Sequence, residues 1–323
     1  MKQNDLRPAD RPTMYFIGVT TAGSSIMRVF PAWAERLGLA DAVLKGIDFA
    51  RHDAPEHYRD AVSFIRHDPL SLGALVTTHK LDLLSAASDL FDDLGPYAEL
   101  TGEVSSISKE DGQLVGRAKD PITSGLALEH FLPADYWTQH DAEVLIFGAG
   151  GSSLALTCYL AEERHGRNRP DRIVVTNRSE ARLHSMKQVH EKMDMPIPIE
   201  YELTAENSRN DEVLRRLRPG SLVVNATGLG KDAPGSPVTD KAVFPAGAFA
   251  WDFNYRGDLT FLLQAEKQRY SRGLHIEDGW VYFVHGWTQV IADVFHIDIP
   301  SSGEQFEHLS RIAADVRAPG TSR

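Results

Sequence analysis

The sequence carries one cysteine, Cys158, among 323 residues. A single thiol excludes an internal disulfide and a cysteine-built zinc cluster, and its place in the apolar run LALTCYLA marks it as a buried structural side chain. A reducing compartment is expected, and no metal site. Basic residues are in deficit: 34 Lys and Arg against 45 Asp and Glu leave a net charge of −11. That is the wrong sign for nonspecific binding to nucleic acid or to an anionic membrane surface. A small anionic ligand would need a local positive site. Long apolar runs are missing too, because Gly, Ser or charge interrupts each one well before membrane-spanning length, and the lead MKQNDLRPADRPT has no apolar h-region. A soluble, cytoplasmic protein is expected, with neither nucleic acid nor membrane as partner.

What is present is ordinary globular material, 42% hydrophobic and 24% charged, enough for two compact lobes. The fold class expected is α/β. MYFIGVT, VLKGIDF and LGALVTT alternate with the helical patterns FPAWAERLGL, EHYRDAVSFIRH and KLDLLSAASDLFDDL. A hairpin follows, EVSSISK and QLVGRA joined through Glu110, Asp111 and Gly112, and then the helix SGLALEHFL. Pro133 and the polar residues after it suggest a boundary. From Val144 onward VLIF, RIVVTN, SLVVNAT and AFAWDFN alternate with helices as a parallel sheet would. The spans expected are 1–133, 134–280 and a C-terminal helical segment, 281–323.

The strand VLIF runs into Gly148-Ala149-Gly150-Gly151-Ser152-Ser153, which opens a helix. Gly148 permits a tight turn, Gly150 lets backbone amides approach a pyrophosphate, and the helix N-terminus favours its charge. The third glycine of the usual pattern is displaced, with Gly151 and Ala155 supplying small residues. At the end of the next strand, where an NAD site places Asp or Glu, stand Asn177, Arg178, Ser179 and Arg182. Two guanidiniums beside a hydroxyl suit a 2′-phosphate, so NADP is expected over NAD.

In order along the chain, VTTHK, DGQLVGRAKD, GAGGSSLA, NRSEAR, NATGLG, DFNYRGDLT and DGW together resemble the shikimate/quinate dehydrogenase family, from about Ile17 to about Val290. The resemblance implies a substrate-binding catalytic lobe at 1–133, an NADP-binding Rossmann domain at 134–280 and C-terminal helices packing back on the first lobe. It implies oxidoreductase chemistry, a hydride passing between a ring carbinol and NADP. Lys80 and Asp120 fall on the family's catalytic pair, which would hold and move the hydroxyl proton. Asn225, Ala226, Thr227 and Gly228 match cofactor contacts near the nicotinamide ribose, Gly279 matches a glycine beside the nicotinamide, and Tyr255 matches a substrate-site tyrosine. The partner expected is a small cyclic hydroxy acid or polyol, bound by a monomer or homodimer.

Departures from the family pattern concentrate on the substrate side. Of the two serines that bind the substrate carboxylate, the first is Ser24 and the second is Ile26, leaving Ser25 or Thr21 to compensate. Phe30-Pro31 replaces a His-Asn pair. Ala74 and Ser105 each replace an asparagine, and Ala118-Lys119 replaces Asn-Thr before Asp120. The late glutamine aligns with Gly286, with His285 or Gln289 as substitutes. Lys119 reads as a solvated lysine or as added charge for an acidic substrate. A pocket that has lost several hydrogen-bonding side chains implies a ligand other than shikimate. The alternative is a noncatalytic NADP-binding or sensing protein, against which the retained Lys80 and Asp120 argue.

Overall fold

A computed structural model of the chain describes residues 6–231 and 233–316. Two compact units emerge. The first comprises the chain up to Lys119 with the part from Val284 on, and the second is Asp120–Phe283.

The first unit holds a six-stranded mixed sheet of β1 (Thr13–Gly18), β2 (Val43–Asp48), β3 (Ser71–Val76), β4 (Asp93–Leu94), β5 (Ser106–Glu110) and β6 (Gln113–Arg117), in the order β2-β1-β3-β5-β6-β4. β1 pairs in parallel with β2 and β3, while β5 runs antiparallel to β3 and β6. The β5–β6 turn has φ of 50° at Asp111 and 82° at Gly112, the two-residue geometry whose twist matches the strands and that Asp-Gly favours. Helix Pro55–His67 buries Tyr58, Ala61, Val62 and Ile65, one face at helical spacing, against Ile17, Val76 and Leu83 of the core.

One expectation shifts here. The first helix runs over Ile26–Arg36, so Pro31 lies inside it rather than at its start. Ile26, Val29, Phe30 and Trp33 are buried at spacings of a single face. That apolar stripe carries the helix through an exposed proline that removes one backbone donor.

The second unit holds β7 (Val144–Phe147), β8 (Ile173–Asn177), β9 (Ile199–Leu203), β10 (Leu222–Asn225), β11 (Phe249–Asp252) and β12 (His275–Glu277) in the order β12-β11-β10-β7-β8-β9, all parallel. Counted within the unit this is the doubly wound Rossmann order, with its topological switch between β7 and β10. All four residues of β7 and of β10 are buried, as strands covered on both faces require.

The boundary lies at Lys119/Asp120, earlier than the Pro133 suggested by the sequence. Helix Asp120–Phe131 packs closely on helix Gly151–Ala161, with Gly125 so near the Tyr159 ring that a Cβ there would fall 2.0 Å from it. That contact draws the helix into the second unit. The second crossing lies within helix Trp280–Phe295, at Phe283/Val284. Two short helices, Thr260–Glu266 and Arg269–Arg272, precede β12. No helix of the described residues is long and apolar enough to cross a membrane.

Candidate functional site

The phosphate-loop residues lie at the C-terminal end of β7. Gly148 has φ of 105°, and a Cβ there would come within 2.9 Å of the Ala226 carbonyl oxygen. Only glycine meets both demands without strain. Its N–H donates to the Thr176 carbonyl at 2.8 Å, and the Ala226 N–H donates to the Phe147 carbonyl at 2.9 Å. The turn after β7 is thus tied to β8 and packed on the start of the loop after β10 at the switch point. At Gly150 a Cβ would meet nothing within 4 Å, so the turn before helix Gly151–Ala161 is open on that side. Ala149 is buried, Gly151 half-buried and Ser152 exposed. Ser153 is fully buried and donates to the Gly148 carbonyl at 2.7 Å, which occupies its hydroxyl in shaping the turn.

Beyond β8, Asn177 donates through Nδ2 to the Ser179 carbonyl at 3.4 Å, and Ser179 precedes helix Glu180–Lys192. Arg178 and Arg182 are exposed. Several other arginines of this unit are tied to carboxylates, Arg172 to Glu143 and Glu200, Arg209 and Arg216 to Glu202, and Arg218 to Asp171. Among the described residues no carboxylate pairs with Arg178 or Arg182. In a chain of net charge −11 this leaves a local cationic site beside the glycine loop.

Gly279 is explained by packing. A Cβ there would lie 2.1 Å from the Phe253 carbonyl oxygen, and its N–H donates to the Asn254 carbonyl at 3.1 Å. Tyr255 packs on Trp280 and Phe283 at centroid distances of 5.8 and 4.6 Å, with the Arg256 guanidinium over its ring.

In the first unit Lys80 is half-buried and opens helix Lys80–Ala87. Its backbone is held at both ends, the N–H donating to the Thr77 carbonyl and the carbonyl accepting from Val104. The preceding His79 is buried. The Tyr58 hydroxyl accepts the Asp53 N–H at 3.1 Å and lies 3.0 Å from His79 Nδ1. Burial lowers the His79 pKa, which keeps the ring neutral. This pair was not singled out in the sequence, where a tyrosine 21 residues upstream gives no signal.

Ser24 and Ser25 are half-buried where the turn Thr21–Gly23 meets helix Ile26–Arg36. Ser25 makes no side-chain capping bond. Ile26 is fully buried in the core face of that helix. Thr21 is buried, with its hydroxyl where a Cβ on Gly46 would lie 1.9 Å away, so it packs on β2. Ser105 Oγ accepts the Lys119 N–H at 2.8 Å. Lys119 is neither solvated nor poised for a substrate: its Nζ lies 2.5 Å from Asp293 Oδ1, each side chain about one-sixth exposed, and Asp293 Oδ2 also accepts from Ser106. Both contacts fix the segment that leads to Asp120. Asp120 itself is half-buried at the first position of its helix. His285 is fully buried and stacked on Phe306 at 4.4 Å, while Gln289 is half-buried on the same helix. A Cβ on Gly286 would meet nothing within 4 Å, so the position faces open space.

The second unit is therefore of the Rossmann class, with a glycine-rich turn and two exposed arginines at the C-terminal edge of its sheet. No protein-family model matches the chain. It is 27% identical over 188 residues to the shikimate dehydrogenase (NADP(+)) of Lactococcus lactis subsp. cremoris, covering 58% of this chain and 61% of that protein. It is 27% identical over 233 residues to that of Symbiobacterium thermophilum, 72% of each. The match thus spans under two-thirds of the Lactococcus protein and somewhat more of the other. In fold it is similar to shikimate dehydrogenase from Aquifex aeolicus, with a TM-score of 0.71 at 18% identity, covering 95% of this chain and 99% of that one. It is also similar to the 5-ketofructose reductase of a Gluconobacter strain, with a TM-score of 0.69 at 17% identity over 95% and 99%. In sequence and in fold the chain is thus similar to shikimate dehydrogenases.

Proposed function

We propose that this chain is an NADP-dependent oxidoreductase that interconverts a hydroxyl and a ketone on a shikimate-like cyclic hydroxy acid or polyol. The observation that carries the cofactor reading is the exposed Arg178 and Arg182, without carboxylate partners among the described residues, beside an open glycine turn at the Rossmann switch point. The backbone of 148–152 would hold the pyrophosphate and the two arginines the 2′-phosphate. When bound, the nicotinamide supplies or accepts the hydride.

Lys80 and Asp120 act on the substrate hydroxyl. As the carbinol is oxidised its proton must leave with the hydride, and Lys80 in its neutral form accepts it at Nζ while Asp120 accepts a hydrogen bond that orients the same group. Reduction runs the proton the other way. The doubly anchored backbone of Lys80 gives that amine a fixed origin. Because Lys119 is neutralised by Asp293 and Ile26 faces the core, the substrate side offers Ser24 and Ser25 but no added cation. That favours a substrate whose group opposite the reacting carbon is smaller or uncharged; a 5-ketofructose reductase on the same fold acts, by its name, on a ketose. Gly279 and Thr21 are the weakest of the assigned positions, since packing accounts for each. The cytoplasm is the expected compartment, and a monomer or homodimer the expected state.

The test is NADP⁺ reduction with shikimate, quinate, aminoshikimate and uncharged cyclitols side by side, together with NADPH oxidation on cyclic ketones. Turnover of an uncharged ring substrate above that of shikimate supports the reading. A kcat/KM for shikimate of roughly 10⁴ M⁻¹s⁻¹ or above overturns the substrate assignment, and NADPH binding with no turnover on any of them favours the noncatalytic alternative.

A further inference from the structure

A polar cluster at the ends of β10 and β11 joins Asn225 and Thr227, expected from the sequence near the nicotinamide ribose, to Asp252, which has no role in the scheme above. Asp252, the last residue of β11, is completely buried. Its Oδ2 accepts from Asn225 Nδ2 at 3.0 Å and its Oδ1 accepts the Asn254 N–H at 2.9 Å. Among the described residues no cation pairs with it. A buried carboxylate without a cation is unfavourable unless its hydrogen bonds are complete. Burial raises its pKa to about 6, and the like charge of Asp278, the charged group that faces it, acts in the same direction.

Both asparagines held by Asp252, Asn225 by its side chain and Asn254 by its backbone N–H, turn their side chains to the loop 226–229. Asn225 Oδ1 accepts the Thr227 N–H at 3.1 Å and the Thr227 hydroxyl at 2.6 Å, and Thr227 Oγ1 in turn accepts the Leu229 N–H at 3.2 Å. Asn254 Nδ2 donates to the carbonyls of Thr227 and Leu229, each at 3.2 Å. The front of this loop is the Ala226 carbonyl that lies against Gly148. From Asp252 to the wall of the phosphate turn the path is one amide side chain and one stretch of backbone.

We propose that Asp252 is a positioning residue: through Asn225 and Asn254 it sets the loop 226–229 against the Gly148 turn and so shapes one wall of the cofactor site. The cofactor half of this rests on the NADP reading above; the loop half does not. A carboxylate suits the position because both of its neighbours are donors. An amide of the same shape would set its own NH₂ against one of them.

Asp252→Asn tests this, with hydrogen exchange of the free protein and NADPH titration as readouts. The expected result is exchange of the Thr227 and Leu229 amides faster by about tenfold or more, and NADPH binding weaker by about tenfold, the scale of one lost charge-assisted hydrogen bond. Amides of β7 and β10 keep their protection, which a merely structural role would not spare. Unchanged loop exchange with unchanged NADPH affinity overturns the proposal. Should the variant not fold, the native protein is followed by exchange from about pH 7.5 to about pH 5, corrected for intrinsic rates. The loop amides then lose protection as Asp252 takes up a proton while the β10 amides do not, and pH-independent loop protection overturns the proposal. If native protein fails to bind NADPH while the loop responds to Asp252→Asn, the cofactor reading falls and the positioning role stands.

Discussion

Replacing Arg178 and Arg182 together by alanine is the sharpest perturbation of the cofactor site. Neither arginine is held by a carboxylate among the described residues, and both are exposed. Their removal therefore leaves no buried charge unpaired and relieves no internal contact, so the fold should be unaffected. A hydrogen bond to a charged group contributes about 1.5–3 kcal/mol, and solvent exposure argues for the low end. Each arginine then accounts for roughly tenfold in affinity, and the pair for roughly a hundredfold. NADH lacks the 2′-phosphate and should lose little. The interaction is between exposed charges, so the native preference for NADPH over NADH should shrink as salt is raised and the Debye length falls from about 10 Å at 0.1 M to about 3 Å at 1 M. Fluorescence titration of both nucleotides against native protein and the double variant, at low and high salt, measures all of this. Equal native affinities, or equal losses for NADPH and NADH in the variant, would refute the assignment of these arginines to the 2′-phosphate.

Lys80→Ala should lower turnover by about 10²–10⁴-fold, the usual share of a general acid–base group, with NADPH affinity unchanged; loss of nucleotide binding instead would remove Lys80 from the proposed role. Gly286→Gln should fold and gain up to about 0.5–1 kcal/mol from helix propensity, since the position is helical and open, and should raise relative activity on shikimate; a lowered melting temperature would contradict the open space there. His190 is buried between Thr157 and Tyr201, donating from Nε2 and accepting at Nδ1, and burial depresses its pKa from 6.5 to about 4. The neutral ring is favoured in the folded state, so this stability is complete above the unfolded pKa and is lost as pH falls from 6.5 toward 4. Between pH 7 and pH 5 the loss is about 2 kcal/mol, read as the difference in urea-unfolding free energy between native protein and His190→Gln; parallel pH profiles for the two would show that the ring is not held neutral.

Much of this protein is set by local sequence. Strands such as VLIF and SLVVNAT declare themselves because a strand buried on both faces must be continuously apolar, and the turns at Gly148 and Asp111-Gly112 because few residues tolerate positive φ. The cationic pair at 178 and 182 was legible because charge of that sign is in deficit, and the relation to shikimate dehydrogenases because its motifs recur in order. What the sequence could not supply is which polar side chains face inward. Lys119 reads as solvated in sequence, yet Asp293, 174 positions later, lies 2.5 Å from its Nζ, and Ser105, which replaces a family asparagine, turns its hydroxyl to the Lys119 N–H. Asp252 stood inside a motif without distinction, because its role depends on Asn225 and Asn254 meeting it across two strand ends. Local propensity is encoded in neighbours along the chain. Hydrogen-bond partners for buried polar groups are chosen by the packing of distant segments, and only the tertiary structure makes that choice.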